Sequence, residues 1–426
     1  MKRLVIKNGR VIDPATRRDE IADVAIEEGR IATVGKDLET IGAEIFDATG
    51  LVVAPGFIDM HVHFREPGFE HAETIETGSR AAAAGGFTSV CPMPNTIPVN
   101  DNAAVTRYII ERAKHFALTN VFPVGAITKN SEGVELAAIG SMKEAGAVAI
   151  SDDGRPVMNA RVMRRAMETA RAFDLPVIDH CEDLNLSAGG DMHEGSVSTR
   201  LGLRGIPSCS EDVMVARNIL LAEFTKTKFH VAHVSSRRSV ELIAEAKRRG
   251  LPVTCEATPH HIALCDDDMP PYDSDFKMKP PLRSRTDVAG VVDGIVSGLV
   301  DAIATDHAPH PGSEKMQEFE KCPFGVIGLE TALGIALQVL YHSGKVPLAR
   351  MVELFTAAPA RILGLDRGTL APGSPGDVTI FDTEHRWTYD VNRSNSKSKN
   401  SPFHGRTFRG GPTATIVNGV FVWRRE

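Results

Sequence analysis

Between residues 55 and 367, short apolar runs alternate with helix-compatible stretches, and this alternation constrains the fold more than any other feature of the chain. The apolar runs are GFIDMHVHF, GFTSVCPM, NVFPVGAI, AVAISDD, LPVIDHCE, KFHVAHVS, LPVTCEAT and VDAIATDH. Each has the length of one strand, and many are apolar on consecutive positions, as strands buried on both faces of a parallel sheet are. Between them lie ETIETGSRAAAA, AAVTRYIIERAKHFA, NARVMRRAMETARAF, EDVMVARNILLAEFTK and SRRSVELIAEAKRRG, each carrying a helical pattern. Eight such repeats in about 310 residues predict an α/β fold, a (β/α)8 barrel of the TIM type. A doubly wound sheet would place a glycine-rich phosphate turn after the first strand, and none is there.

The two ends have a different texture. Residues 1–54 and 368–426 consist of short alternating segments such as LVIKNGRVID, ADVAIEEGRIATVG, PGSPGDVTIFD and TATIVNGVFVWRR. Asn8-Gly9, Glu28-Gly29 and Asn418-Gly419 carry the hairpin signature. Both ends are therefore expected to join in one small β-domain, a β-sandwich built from both termini and separate from the barrel over 55–367. Residues 184–210 and 309–325 are longer than a barrel connection needs, which makes them candidates to cover a site, with 311–323 expected to close over substrate. The polar, low-complexity NRSNSKSKNSP at 392–402 reads as a surface loop.

Lys and Arg number 48 against 55 Asp and Glu, a net charge of −7, which argues against nucleic acid or an anionic membrane as partner and leaves room for a local anion site. The six cysteines form no CxxC pair, as expected of thiols in a reducing compartment. No run approaches the roughly twenty apolar residues of a membrane span. The opening MKRLVIKNGRVIDP reaches Lys7 after three apolar residues, too short for a secretory leader. These features predict a cytoplasmic protein acting on a small molecule.

The chemistry gathers at the ends of the predicted strands. Fifteen histidines in this length give about 0.5 His-x-His pairs by chance, so His61 and His63 alone would be weak evidence for a metal. Their place adds weight: on an alternating strand His61, His63 and Arg65 face one way, into the mouth of a barrel. The fourth strand ends in Ser151-Asp152-Asp153-Gly154, the fifth in Asp179-His180, the sixth in Ala232-His233 and the eighth in Thr305-Asp306-His307. Four imidazoles and two carboxylates at one mouth suit zinc or a similar divalent ion. Arg65, Asn95, Lys279 and His310 are candidates to bind an anion beside it, Arg65 because its planar fork matches a carboxylate.

These residues resemble a family, the metal-dependent amidohydrolases, and within it the class I bacterial dihydroorotases. The resemblance is carried by DMHVHFREPG (59–68) and ATDHAPHPGSEK (304–315), with CPMPNT, SDDG, DHCED, AHVSS, PFGVIGLET and SKSKNSPFHG in order around them. It implies a cyclic amide hydrolase holding one or two zinc ions, two being favoured. His61, His63 and Asp306 would hold one, His180 and His233 the second, and Asp153 (or, less in keeping with the family pattern, Asp152) would bridge. Many relatives bridge with a carboxylated lysine, and VAISDDGRP contains none, which points away from allantoinases, hydantoinases and dihydropyrimidinases. The implied reaction is the reversible cyclisation of N-carbamoyl-L-aspartate to L-dihydroorotate in pyrimidine biosynthesis, with Asp306 as general acid/base and Arg65, Asn95, Lys279 and His310 binding substrate. Lys279 departs from the asparagine of many close members. A homo-oligomer and assembly with aspartate transcarbamoylase are further implications. One rival is another cyclic amidohydrolase of the allantoinase or dihydropyrimidinase kind. The other is a non-catalytic partner of the transcarbamoylase, against which all six ligand positions are filled.

Overall fold

A computed structural model describes residues 3–425. All eight expected parallel strands are present: Phe57–Val62, Phe87–Pro92, a third broken into Asn120–Val121 and Val124–Gly125, Ala149–Ile150, Val177–Asp179, Phe229–Val231, Val253–Ala257 and Ala302–Ile303. The third is interrupted at Phe122-Pro123, where proline has no N–H to give to a ladder. Its first half pairs with the second strand and its second half with the fourth. The pairing gives a three-stranded sheet of strands one to three and a six-stranded sheet of strands three to eight, all parallel. A parallel bridge from Val62 to His307, with the His63 N–H donating to the His307 carbonyl at 2.8 Å, links the first strand to the end of the eighth.

Side chains divide by the period of two that strands impose. Met60, Cys91, Val124, Ala149, Ile178, Ala232 and Ala302 gather in one buried cluster. Their neighbours Val90, Ile150, Val177, Val231 and Ile303 belong to a second, larger cluster shared with the helices. The strands are thus covered on both faces, which explains their continuous apolar runs. The helices begin where the sequence supplies caps: the side chains of Thr74, Asn102, Asn159, Ser236 and Ser284 each accept from a first-turn N–H.

The terminal segments form one eight-stranded sheet. Its halves join where Val52–Pro55 runs antiparallel to Val378–Phe381. Glu28-Gly29 and Asn418-Gly419 turn hairpins, with φ of 48° and 79°, and of 48° and 76°. Asn8-Gly9 does not: Arg3–Asp13 is a single strand, and the pair forms a bulge between Ile6 and Gly9. Asn8 takes φ 62°, and its N–H donates to Asp23 at 2.9 Å. A Cβ at Gly9 would lie 2.4 Å from Val53 Cγ2, so glycine is required by close approach rather than by a turn.

The segment 392–402 is only in part the surface loop its composition suggests, with Asn392, Arg393, Asn395 and Lys397 exposed. Ser396, Ser398, Asn400 and Ser401 are buried. Ser396 Oγ donates to Glu73, Ser398 Oγ to the Ala72 carbonyl, and Asn400 Nδ2 to the carbonyls of Ala308 and Gly325. Small polar side chains at alternate positions thus tie the segment to the chain after the first strand, through Glu73 and Ala72, and to the chain after the eighth, through Ala308 and Gly325.

Phe57 is fully buried, with its ring centroid 5.1 Å from Phe355, 6.1 Å from Phe87 and 6.0 Å from Phe381. It packs the first parallel strand against the strand Val378–Thr388 of the terminal sheet. Phe57→Ala is expected to destabilise the fold by about 3–5 kcal/mol, read as a lower urea midpoint.

Candidate metal centre

His61 is the penultimate residue of the first strand, and His63 lies just past its end. Asp153, His180, His233 and Asp306 follow the fourth, fifth, sixth and eighth strands. All six side chains are buried and converge. Asp153 is their common neighbour: its oxygens lie 3.4 Å from His61 Nε2, 3.3 Å from His63 Nε2, 3.8 Å from His180 Nδ1 and 3.6 Å from His233 Nε2. Asp306 Oδ1 is 3.1 Å from His63 Nε2 and 3.5 Å from His61 Nε2. His180 Nδ1 and His233 Nε2 are 2.9 Å apart. Two groups have donors close enough to share one ion, His61 with His63 and Asp306, and His61 with Asp153 and His233. Asp152 faces elsewhere, accepting from the Ile127 and Thr128 N–H groups at 2.8 and 3.1 Å.

The residues fit a divalent metal on a physical observation. His61 Nε2 and Asp153 Oδ1 are buried and have no hydrogen-bond partner. Orphaned groups of this kind are destabilising by about 1–3 kcal/mol each unless a ligand satisfies them. His233 and Asp306 hold positive φ, 32° and 47°, a backbone conformation uncommon outside glycine. Imidazole and carboxylate together are the donor set of zinc and its neighbours.

Three of the four imidazoles are oriented from behind. His61 Nδ1 lies 2.8 Å from Glu256 Oε1, His63 Nδ1 2.9 Å from Asn95 Oδ1 and His180 Nε2 2.9 Å from Glu182 Oε2. A proton held at that contact leaves the opposite nitrogen's lone pair facing the centre. Electrostatics reinforce the cluster. Burial opposes charge on His61, yet Asp153 and Asp306 outweigh it and hold the imidazole well above its ordinary range. Burial likewise opposes ionisation of Asp153, and His61, His233 and His63 override it and keep the carboxylate well below its usual range.

Arg65 reaches the same mouth by a route the alternation argument missed. The strand ends at Val62, and Arg65 lies beyond it with φ 60°. Its Nε donates to the Pro309 carbonyl at 3.2 Å, and its Nη2 lies 3.3 Å from His310 Nε2. Burial lowers the guanidinium to about 10. Asn95 engages the centre through His63, and His310 Nε2 is 2.9 Å from the Phe324 carbonyl. Lys279 Nζ lies 2.8 Å from Glu182 Oε1. In the 309–325 segment Lys315 Nζ donates to the carbonyls of Lys277, Pro323 and Gly325, and Lys277 Nζ donates to that of Phe319. Residues around 315–325 thus wrap two buried ammonium groups. Sequence reasoning passed over Glu182 and Glu256, because a carboxylate that orients a ligand carries no spacing of its own. It also passed over His260, whose buried Nε2 has no partner.

Comparison with known proteins agrees with this chemistry. A family model described as dihydro-orotase-like matches residues 50–239. The chain is 67% identical to a dihydroorotase of Solibacter usitatus over 423 residues, covering 99% of this chain and 98% of that one. It is 54% identical to a dihydroorotase of Pelotomaculum thermopropionicum, again covering 99% and 98%. Among solved structures, an L-hydantoinase (dihydropyrimidinase) from Arthrobacter aurescens superposes with a TM-score of 0.90 at 26% identity, covering 100% of this chain and 96% of that chain. The backbone is therefore shared with other cyclic amidohydrolases, whereas full-length identity separates this chain from them. By that identity, and by the imidazole and carboxylate centre it carries, the chain belongs to the dihydroorotase family of cyclic amidohydrolases.

Proposed function

We propose that this chain catalyses the reversible closure of N-carbamoyl-L-aspartate to L-dihydroorotate and water at the centre built around Asp153. The observation that carries the reading is the convergence of four imidazoles and two carboxylates beside a half-buried arginine, in a chain 67% identical over its length to a dihydroorotase. His61, His63 and Asp306 would hold one zinc ion and His180 and His233 a second, with Asp153 between them. Zinc bound there would acidify water and polarise a ring carbonyl, the two services that make an amide hydrolysable near neutral pH.

The chain's own residues do the remainder. In ring opening, Asp306 accepts a proton from the attacking water as its oxygen bonds to the ring carbonyl carbon. It then delivers that proton to the ring nitrogen as the C–N bond breaks. In ring closure the ureido nitrogen bonds to the carboxyl carbon as the same carboxylate takes its proton, which then goes to the departing hydroxide so that it leaves as water. Arg65 and His310 hold the substrate carboxylate, with Asn95 Nδ2 free to join them while its Oδ1 serves His63. The eight parallel strands are read as one closed (β/α)8 barrel over 55–367, supported by the Val62–His307 bridge and by the cluster to which residues of every strand or strand end but the seventh contribute. Residues 1–54 and 368–426 are read as the accompanying β-domain. Homo-oligomers and assembly with aspartate transcarbamoylase belong to the same proposal.

The test combines metal analysis of the purified chain with assays of dihydroorotate hydrolysis at alkaline pH and carbamoyl aspartate cyclisation at lower pH. Turnover in both directions with one or two zinc ions per chain is expected. Turnover of allantoin or dihydrouracil in place of dihydroorotate would overturn the substrate assignment. Arg65→Lys keeps the charge and loses the fork, so KM for dihydroorotate is expected to rise about tenfold or more with metal content unchanged. Steady-state kinetics on metal-saturated protein checks it.

A further inference from the structure

We propose that Glu182 and Lys279 form a clamp that positions His180 for its metal ion, with Lys279 acting through Glu182 rather than by touching substrate. The proposal rests on the metal-centre reading above and concerns how the centre is held. His180 presents opposite ring nitrogens to opposite sides. Nε2 lies 2.9 Å from Glu182 Oε2, and Nδ1 faces His233 Nε2 at 2.9 Å and Asp153 Oδ1 at 3.8 Å. A carboxylate only accepts, so the Glu182 contact places the ring proton on Nε2 and leaves the Nδ1 lone pair for the ion.

Glu182 is itself buried, its side chain 6% exposed. A carboxylate in that position needs a second partner to offset its desolvation. Lys279 supplies it as an ion pair, with Nζ 2.8 Å from Oε1, the oxygen not used by His180 and without a hydrogen-bond partner. The lysine is fixed in turn, its Nζ 5.1 Å from the centroid of the Phe324 ring. Glu182 follows the fifth strand, whereas Lys279 lies between the seventh and the eighth and immediately precedes Pro280-Pro281. The pair therefore ties two distant segments together at the centre. The pair offsets the ammonium's charge with the Glu182 carboxylate, which weakens the attraction Lys279 can offer a substrate carboxylate.

The test is zinc affinity of the metal-free full chain, by competition with a chromophoric chelator and without substrate, for wild type and four variants. Glu182→Gln is expected to weaken binding about 10- to 100-fold. Lys279→Met is expected to weaken it about fivefold or more while leaving KM for dihydroorotate within about twofold at saturating zinc, and Lys279→Arg to restore most of the affinity. The double variant Glu182→Gln/Lys279→Met should bind no more weakly than Glu182→Gln, since a residue acting through another adds nothing once that other is gone. Zinc affinity unchanged in Lys279→Met, a tenfold rise in its KM, or losses that multiply in the double variant would each overturn the clamp. Circular dichroism identifies a variant that does not fold, and if Glu182→Gln is one, the Lys279→Met and Lys279→Arg pair decides. A wild type with no zinc affinity would overturn the metal-centre reading itself, an outcome distinct from wild-type binding that the variants leave unchanged.

Discussion

Asp306→Asn is expected to lower kcat for dihydroorotate hydrolysis and for the reverse cyclisation by about 100- to 10,000-fold, the range in which a positioned general acid/base contributes. The carboxamide nearly matches the carboxylate in size and keeps an oxygen that can face the centre, but it cannot carry a proton between water and the ring nitrogen. The same side chain is one of the expected zinc ligands, grouped with His61 and His63. It is buried, its Oδ1 lies 3.1 Å from His63 Nε2, and its backbone holds φ 47°. Burial alone would raise its carboxyl, yet the His61 and His63 imidazoles outweigh burial and hold it below the usual carboxylate range. Loss of kcat with retention of at least one zinc ion per chain is the expected pattern, from steady-state kinetics together with metal analysis. Near wild-type turnover in Asp306→Asn would remove the residue from proton transfer.

Stripping the metal is expected to have the other large effect. Exhaustive chelation should reduce turnover in both directions to about 1% or less, because the remaining side chains can orient a cyclic amide but supply no strong electrophile. Zinc added back should restore it. The same treatment should lower the thermal midpoint, since an ion that binds only the folded chain stabilises it by about 4 kcal/mol at a free concentration a thousand times its Kd. The structural cause is specific: without an ion, His61 Nε2 and Asp153 Oδ1 remain buried and unpartnered. Asp153→Ala should therefore lose both the activity and most of the zinc-dependent rise in midpoint, because Asp153 contacts all four imidazoles. Full turnover after chelation, or a midpoint in Asp153→Ala that responds to zinc as wild type does, would count against a centre organised on this residue.

The relation to the hydantoinase structure bears on how substrate choice is encoded. A TM-score of 0.90 at 26% identity means that the same backbone serves a different cyclic amide. Fold alone therefore leaves the substrate open. In the proposed function the choice lies with side chains beside the centre, Arg65 and His310 above all. Arg65 is held by the Pro309 carbonyl and neighbours His310 on the segment after the eighth strand, and Asn400, a residue of the terminal part of the chain, fixes that segment.

What the sequence determined by itself was everything that repeats or that sits at the end of a repeat. Eight apolar runs became eight parallel strands, because a strand covered on both faces must be apolar at consecutive positions, and that pattern is local. His61, His63, Asp153, His180, His233 and Asp306 were legible for a related reason: polar residues that close an apolar strand stand out, and strand ends gather in space whatever lies between them. Tertiary structure alone decided what depends on a partner distant in sequence. Asn8-Gly9 has the letters of a hairpin, but Val53 and Asp23 make it a bulge. Ser396 and Asn400 belong to a segment with the composition of a solvated loop, but Glu73, Ala308 and Gly325 take up their side chains in the interior. Asp152 and Asp153 are adjacent and chemically alike, and only the N–H groups of Ile127 and Thr128 take the first away from the imidazoles. Glu182 and Glu256 were the least legible, since a residue that orients a ligand is defined by one contact across the fold; Lys279 was read from the sequence as a substrate contact, and only the closed chain brings it against Glu182. Periodicity is written along the chain, whereas hydrogen-bond partnership is settled when the chain closes on itself.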